Sequence, residues 1–399
     1  MNIVIIGAGA SGMTAAISAA EANGKNRIFL LEHDDRVGKK ILSTGNGKCN
    51  LTNEDMSSDK YRCKDMSAVD KVLGLFGYNE TLKFFENLGL IFKNRDGYIY
   101  PYSGQASAVL DVLRMKCNEL KINVLTGVKP LHIKPVKASY SIEYVDENNK
   151  KNVINADRLI IATGSPASNI PGADNSGYKL VHELGYNIEK VLPALTGLKC
   201  ADSFCKALAG VRCDGKVTLY IDNNVVATDM GEIQLTDYGI SGIPVFQVSR
   251  FASIALDKKQ KVKAEIDFIA GISEKELEII FENKIKNCPN KTMEEQLIGV
   301  LNKKVAGVIN KMYGKNVSSL IRGIKHFEFE VKATNPFEQS QIATGGIDIS
   351  QINFETMESL KHKNLYFAGE IIDVDGICGG YNLQWAWSTG YIAGRNAAK

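Results

Sequence analysis

A glycine motif near the start of the chain has the spacing of a dinucleotide-binding turn. Gly7-Ala8-Gly9-Ala10-Ser11-Gly12 follows the apolar run Asn2–Ile6 and precedes a helix of small residues. The first glycine would make the bend, the second would let backbone approach a pyrophosphate, and the third would let helix and strand pack closely. Glu32 ends the next apolar run, where its carboxylate can accept hydrogen bonds from ribose hydroxyls. His33 follows directly, and we expect it to contact the edge of the cofactor. This motif predicts an adenine dinucleotide but does not separate FAD from NAD.

A second glycine-rich segment, from Gly38 to Asn53, follows the acidic residue and favours FAD. Its glycines and small polar residues can bring backbone N–H groups close to phosphate and to the edge of a flavin ring. A flexible surface loop is the alternative, but Ile41, Leu42 and Leu51 are unusual in such a loop. The predicted contacts are Lys39, Lys40, Ser43, Thr44, Gly45, Gly47, Lys48, Cys49 and Asn50. Lys39 and Lys40 would balance phosphate charge, with solvated surface lysines as the equal alternative.

Two further segments place polar residues where buried strands end. The first segment is Ala162-Thr163-Gly164, which follows an apolar run, and the second begins at Gly369, after another apolar run. Glu370 and Asp373 would stand at the carboxyl end of that last strand, where open α/β sheets bind ligands, and either acid could hold ribityl or ribose hydroxyls. Gly379 and Gly380 then begin the last helix, whose positive end would stabilise charge on the reduced flavin. The predicted contacts of this helix start are Gly379, Gly380, Tyr381, Asn382 and Leu383.

The elements that carry these motifs are short apolar runs typical of buried parallel strands. Four such runs are present, at 2–6, 28–32, 158–164 and 365–369. Residues 13–23 form a helix between the first two runs, which predicts a βαβ unit. The alternating stretch 122–154 predicts a small antiparallel layer. From about Val191 to Pro336 the pattern changes to meandering strands over 217–236 and helices over 273–287 and 293–312.

Composition places the chain among ordinary globular enzymes. It has 399 residues, of which 44% are hydrophobic and 23% charged, and its formal net charge is only +3. Interspersed charges of both signs argue against a nucleic-acid or membrane-surface role. No apolar run reaches the ~18 residues that cross a bilayer, and the apolar N-terminus lacks the basic region of a signal peptide. Scattered cysteines and histidines without metal-ligand spacing predict no metal site and a reducing, cytoplasmic location.

Four blocks carry a resemblance to a known family: GAGASG, GKKILSTGNGKCNLTN, GEIQLTDYGISG and GEIIDVDGICGGYNLQWAWSTG. They resemble the HI-type bacterial flavoproteins, described as aminoacetone-oxidase-like or bile-acid 3-dehydro-Δ4,6-reductase-like. The resemblance implies an α/β fold with a Rossmann-like FAD-binding domain of glutathione-reductase type and an inserted β-barrel that carries a small helical subdomain. It also implies Val128 as a backbone contact to adenine. We expect the FAD-binding domain to span 1–190 and 336–399. The inserted β-barrel would then span 191–268 and 325–335, and the helical subdomain 269–324.

The catalytic residues stay open at this level. Relatives in the family often have Arg at Lys48, His at Asp237 and Thr at Cys378, and the missing His removes an obvious acid or base. Tyr238 and Asp237 could donate a proton over the flavin, or they could be plain turn residues. Cys378 could be a redox thiol, although a small packing residue is the alternative because no partner cysteine is near it in sequence.

No second G-x-G-x-x-G follows a strand, so a nicotinamide donor would bind transiently at the flavin and give ping-pong kinetics. The leading hypothesis is an FAD-dependent oxidoreductase that passes hydride from NAD(P)H to an unsaturated or carbonyl-conjugated small molecule. A flavin amine oxidase that uses oxygen is one alternative, so the bond acted on is C=C or C–N. An FAD-dependent RNA-modifying or RNA-binding protein is another. The sequence does not determine the substrate or the oligomeric state.

Overall fold

The computed structural model describes all 399 residues. They form two compact units, one of Met1–Val191 with Gln341–Lys399 and one of Leu192–Ser340. No helix is both long and apolar enough to span a lipid bilayer.

The first 191 residues contain eleven strands and six helices, and a twelfth strand begins at Ile188. The strands are β1 Asn2–Ile6, β2 Arg27–Leu31, β3 Thr52–Asn53, β4 Tyr61–Arg62, β5 Phe92–Arg95, β6 Tyr98–Pro101, β7 Asn123–Leu125, β8 Lys129–Val136, β9 Ser139–Val145, β10 Lys151–Ala156, β11 Arg158–Ile161 and β12 Ile188–Ala194. The helices are α1 Ala10–Ala22, α2 Lys39–Ser43, α3 Met66–Leu75, α4 Tyr78–Asn87, α5 Ala106–Glu119 and α6 Ser176–Glu183.

The rest of the chain supplies eleven further strands and seven helices. The strands are β13 Leu198–Cys200, β14 Arg212–Ile221, β15 Asn224–Thr236, β16 Gly239–Gly242, β17 Val262–Asp267, β18 Phe327–Thr334, β19 Ile342–Ile347, β20 Ile352–Asn353, β21 Glu358–Ser359, β22 Leu365–Phe367 and β23 Asp375–Gly376. The helices are α7 Cys205–Leu208, α8 Ile243–Asp257, α9 Glu274–Asn287, α10 Met293–Leu297, α11 Lys303–Tyr313, α12 Val317–Lys325 and α13 Tyr381–Ala397.

The first unit is organised around a seven-stranded sheet in the order β20-β21-β22-β11-β1-β2-β7. The five strands from β22 to β7 are parallel. Ile3, Val4 and Ile5 of β1 are fully buried, as a central strand covered on both faces requires. The carboxyl ends of these five strands therefore meet along one edge of the sheet.

Helices α1 and α13 pack against each other at unusually short range. A Cβ at Gly390 would lie 2.3 Å from the Ser11 carbonyl oxygen, and one at Gly394 would lie 2.2 Å from the Ala15 carbonyl oxygen. Small residues on both helices allow this contact, which fixes the last helix beside the glycine motif. Smaller antiparallel sheets, β10-β9-β8 and β3-β6-β5, complete the unit.

The second unit contains a closed antiparallel barrel in the order β13-β16-β15-β14-β17-β18. Alternating residues of its strands, such as Ala264 and Ile266 of β17, point into a separate apolar core. Helices α9 to α12 lie between β17 and β18 in the chain. The predicted α/β fold with a Rossmann-type domain and a barrel is confirmed.

One helix prediction is wrong. The stretch 293–312 forms two helices, α10 and α11, rather than one. Ile298 leaves helical geometry with a ψ of 132°, and Gly299 follows it with a φ of +87°. The Asn302 side chain then accepts a hydrogen bond from the Lys304 N–H and caps the second helix.

Candidate functional site

A cleft in the first unit lies along the edge where the parallel strands end. Its walls come from the segments that follow β1, β2, β11 and β22, which is the position where open α/β sheets bind ligands. Fifteen of the residues predicted as cofactor contacts line it: Gly7, Gly9, Ala10, Ser11, Glu32, His33, Lys39, Lys40, Thr44, Ala162, Thr163, Gly164, Glu370, Asn382 and Leu383. The sequence motifs are therefore brought to one place by the sheet.

The three glycines of the first motif have different surroundings. A Cβ at Gly7, whose φ is +98°, would lie 2.5 Å from the Ala162 carbonyl oxygen. A Cβ at Gly12 would lie 1.8 Å from the Gly7 carbonyl oxygen. At Gly9, by contrast, a Cβ would meet no heavy atom within 4 Å, because this residue faces the open cleft. Gly7 and Gly12 are thus needed for the fold, and Gly9 leaves room for a ligand at the N-terminus of α1.

Glu32 is held rigidly at the wall of the cleft. Its Oε2 accepts the Ala8 N–H at 2.9 Å, and its Oε1 accepts the Asp34 N–H at 3.0 Å. Burial raises the pKa of Glu32, and these two backbone donors oppose that effect. Since a carboxylate oxygen has two lone pairs, each oxygen can still accept one more hydrogen bond. That geometry suits a pair of neighbouring hydroxyls.

The two lysines of the second segment have carboxylate partners. Lys39 Nζ lies 2.8 Å from Asp34 Oδ1 and 2.6 Å from Asp35 Oδ1, and these carboxylates raise the pKa of Lys39. Lys40 Nζ lies 2.7 Å from Glu370 Oε2. Neither lysine is the free surface cation that the sequence left as an alternative.

Glu370 is also engaged on its second oxygen, where Oε1 accepts the Ala343 N–H at 2.9 Å. The Lys40–Glu370 ion pair therefore joins the second segment to the end of β22. As with Glu32, each oxygen of Glu370 keeps one lone pair for a ligand hydroxyl.

The other predicted contacts of the second segment do not line the cleft, and most of them are exposed to solvent. The residues concerned are Ser43, Gly45, Gly47, Lys48, Cys49 and Asn50. Gly45 and Gly47 have φ values of +55° and +80°, so glycine suits this tight turn. Burial raises the pKa of the Cys49 thiol to about 12, and Asn50 Oδ1 is buried without a hydrogen-bond partner.

The last helix is aimed at the cleft by a glycine turn. Gly380 has a φ of +94°, and a Cβ there would lie 2.8 Å from the Thr52 carbonyl carbon. Asn382 holds the turn by accepting the Gly376 N–H and donating to the Gly376 carbonyl, both at 2.8 Å. Asn382 and Leu383 line the cleft, whereas Gly369, Asp373, Gly379, Gly380 and Tyr381 lie behind that surface.

The chain matches the family described as HI0933-like protein Rossmann domain over residues 1–396. A 3-dehydro-bile acid delta(4,6)-reductase from Clostridium scindens is 42% identical, with 100% of this chain and 99% of the relative covered. The chain belongs to the HI0933-like family. The expectation of an FAD-dependent oxidoreductase is confirmed with it.

Two more distant proteins are similar over nearly their whole length. A ribosomal RNA dihydrouridine synthase from Haemophilus influenzae is 28% identical, covering 97% of this chain and 96% of the relative. A solved 3-ketosteroid delta1-dehydrogenase from Sterolibacterium denitrificans, in complex with 1,4-androstadiene-3,17-dione, has a TM-score of 0.54 and 11% identity, covering 99% of each chain. The second of these shows the fold alone.

The cleft fits the pyrophosphate-linked cofactor of this family on two observations of its own. The space beside Gly9, which a Cβ would fill, is empty, and it lies at the N-terminus of α1, where backbone N–H groups favour an anion. The Glu32 and Glu370 carboxylates, which also line the cleft, keep lone pairs for the hydroxyls of a ligand. Both positions are ready for a polar ligand.

Two predicted contacts have backbone N–H groups that are already engaged within the protein. The Val128 N–H donates to the Glu32 carbonyl oxygen at 3.0 Å, and Val128 does not line the cleft. The N–H is therefore not free for adenine, and the nearby lining residue is Pro130. Ala8 likewise lies behind the surface, since its N–H is used by Glu32.

The three catalytic candidates fall in different units. Cys378 lies in the first unit, with its Sγ 3.9 Å from Oε1 of Gln341, a residue of the cleft wall. Asp237 and Tyr238 form the turn between β15 and β16 of the second unit. There the Tyr238 hydroxyl accepts a hydrogen bond from Asn335 Nδ2 at 3.2 Å, while Asp237 is exposed.

Sequence reasoning missed one whole wall of the cleft. The loop after β11 contributes Ser165, Ile170, Pro171, Gly172 and Ala173, and α6 contributes Ser176 and Leu180. Further missed residues are Asp34, Arg36, Gly38, Ile41, Gln341, Ile342 and Ala386. The only sequence signal was Ile170-Pro171-Gly172, a turn soon after a strand that ends in glycine.

Proposed function

We propose that this chain is an FAD-dependent reductase that takes hydride from NAD(P)H and reduces a carbon–carbon double bond conjugated to a carbonyl group. The cleft at the carboxyl ends of the parallel strands is the observation that carries the proposal, because carboxylates and a helix N-terminus of the kind that bind a dinucleotide line it. The 42% identity to a reductase named for a 3-dehydro, delta(4,6) substrate supports this choice of bond.

Each end of the cleft has its own proposed role. Glu32 would bind the adenosine ribose hydroxyls, and the N-terminus of α1 at Gly9 would bind the pyrophosphate. Glu370, fixed by Lys40, would bind hydroxyls of the ribityl chain, and Asn382 and Leu383 would face the ring. These assignments follow from the lone pairs and N–H groups that remain unused in the cleft.

FAD, when bound, supplies the chemistry of accepting a hydride from a donor and passing it to an electron-poor double bond. The residues of the chain then have to orient the substrate, exclude water and supply the proton for the second carbon. Cys378, Tyr238 and Asp237 are the candidates for that proton, and the choice among them is open to mutation.

Reduction of a uracil ring in RNA is a second candidate function. It is favoured by the 28% identity to a ribosomal RNA dihydrouridine synthase, and a uracil double bond is also conjugated to a carbonyl. The formal net charge of +3 speaks against a tight RNA complex. The cytoplasmic location and a small-molecule substrate remain predictions.

Anaerobic photometry of the yellow protein tests the proposal. Reduced nicotinamide should bleach the flavin absorbance, and a 3-oxo-4-ene compound should then restore it with one reduced double bond per flavin. Bleaching by an amine, and no bleaching by NADH or NADPH, would show the amine oxidase instead. Restoration by a uridine-containing RNA but by no small enone would show the RNA enzyme.

A further inference from the structure

The three-stranded sheet β3-β6-β5 supports both glycine turns at one end of the cleft. A Cβ at Gly379 would lie 3.1 Å from Tyr98 Cε1, and a Cβ at Gly45 would lie 3.8 Å from Tyr100 Cε1. Gly45 follows the lining residue Thr44, and Gly379 precedes the lining residue Asn382 by three positions. The face of β6 that bears these two tyrosines therefore lies against two turns whose neighbouring residues, Thr44 and Asn382, line the cleft.

Tyr98 is only partly covered by the turn it supports. The residue is 41% exposed, although Asn53 of β3 pairs with it and the Gly379 turn lies against its ring. Asn53, its neighbour on β3, donates to the Gly379 carbonyl at 3.1 Å and fixes that turn in place. An aromatic ring held at this position by a rigid sheet, and still open to solvent, is a flat apolar surface for a ligand.

A cation accompanies the ring. Arg95 pairs directly with Tyr98 across β5 and β6, so both side chains project from the same face. Its guanidinium lies 5.9 Å from the Tyr100 ring centroid and has no carboxylate partner. An exposed arginine beside an aromatic ring is suited to a ligand that has both a flat surface and an anionic group.

We infer that Tyr98 and Arg95 select the substrate: Tyr98 packs against a flat conjugated ring system, and Arg95 pairs with a carboxylate carried by that molecule. The inference rests on the proposed function and specifies its substrate class. It is argued from the contact of this face with the two glycine turns beside Thr44 and Asn382, and from the unpaired charge beside the ring. Tyr102, on the same hairpin and 67% exposed, has no such contact with either glycine turn and is the matched control.

Binding to the FAD-loaded protein tests this assignment without turnover. The probes are a 3-oxo-4-ene steroid with a side-chain carboxylate and its neutral methyl ester, measured by equilibrium dialysis. Tyr98→Ala should weaken both probes about tenfold, whereas Tyr98→Phe and Tyr102→Ala should leave them unchanged. Arg95→Gln should weaken the carboxylate probe about threefold and leave the ester unchanged.

Flavin content and thermal unfolding of each variant show whether it is folded, and Tyr98→Leu replaces Tyr98→Ala if the latter loses FAD. Unchanged probe binding in folded Tyr98→Ala, or in the Tyr98→Leu variant that replaces it, overturns the inference. So does a Tyr98 effect that appears only with a uridine-containing RNA oligonucleotide. If the wild type binds and reduces both probes while these variants behave as wild type, the proposed function stands and only the assignment of Tyr98 and Arg95 fails.

Discussion

Gly9→Val should separate cofactor binding from folding. Gly9 has a φ of −80° and a ψ of −161°, so it does not have the positive φ that would strain a residue with a side chain. A Cβ there meets no heavy atom within 4 Å, and the residue makes no side-chain cap. The substitution should therefore change the stability of the FAD-free protein by no more than about 1 kcal/mol, the usual cost of a poor residue at a helix start.

The same side chain would occupy the space in front of the α1 N-terminus. Charge-assisted hydrogen bonds contribute about 1.5–3 kcal/mol each, so losing two of them should weaken FAD binding about 100-fold or more. Fluorescence titration of the FAD-free protein gives the dissociation constant, and thermal unfolding without FAD gives the stability. FAD added at a hundred times the wild-type Kd should stabilise the wild type by about 2.7 kcal/mol, but a variant with 100-fold weaker binding by only about 0.4 kcal/mol.

Gly24→Val is the matched control. Gly24 also has no neighbour that a Cβ would meet, but it lies in the turn after α1, outside the cleft. Its FAD affinity should equal that of the wild type. If Gly9→Val keeps normal FAD affinity, the glycine motif is only a structural turn, and the assignment of the pyrophosphate site is wrong.

Four further outcomes are expected. Glu32→Gln should weaken FAD binding about tenfold in a fluorescence titration, because an amide N–H₂ would face a backbone N–H donor. Gly380→Ala should lower the free energy of unfolding by about 2–4 kcal/mol, because a Cβ at this positive φ would also clash with the Thr52 backbone. The control Gly210→Ala, which has a positive φ but no atom near its Cβ, should lower it by only about 1 kcal/mol. Two flanking carboxylates raise the pKa of His326, so protonated His326 should stabilise the fold at low pH, and this contribution should be lost as pH rises through the raised pKa. Urea unfolding at several pH values, with His326→Gln as the reference, measures the difference in the free energy of unfolding. The Cys49 thiol, whose pKa is raised to about 12, should resist iodoacetamide at about pH 8 in mass spectrometry of the folded protein.

The sequence was most informative where chemistry and local structure share one pattern. The turn after β1 and the acid after β2 are adjacent to short apolar runs, so their placement at the sheet edge followed from strand direction alone. The last helix could be aimed at the same edge because its glycine turn follows β22. These local signals identified Gly9, Glu32 and Glu370 as residues of the cleft wall.

Contacts between distant parts of the chain could not be inferred in this way. Lys40 and Glu370 are 330 positions apart, and nothing near either residue indicates that they form an ion pair. Lys39 shows the opposite case, since its partners Asp34 and Asp35 stand just before it and their charges could have been paired from sequence. The wall formed by the loop after β11 depends on where that loop folds back, which residue types alone do not specify.

Reduction of the bound flavin by nicotinamide, and its reoxidation by a conjugated ketone, test the central claim most directly. Under anaerobic conditions, one equivalent of NADH or NADPH should bleach the flavin, and one equivalent of a 3-oxo-4-ene should restore it, with a product two mass units heavier. The cofactor released afterwards should be FAD, because Glu32 and the Gly9 turn bind its adenosine half. Release of FMN, or a flavin that no reduced nicotinamide bleaches, would contradict the account.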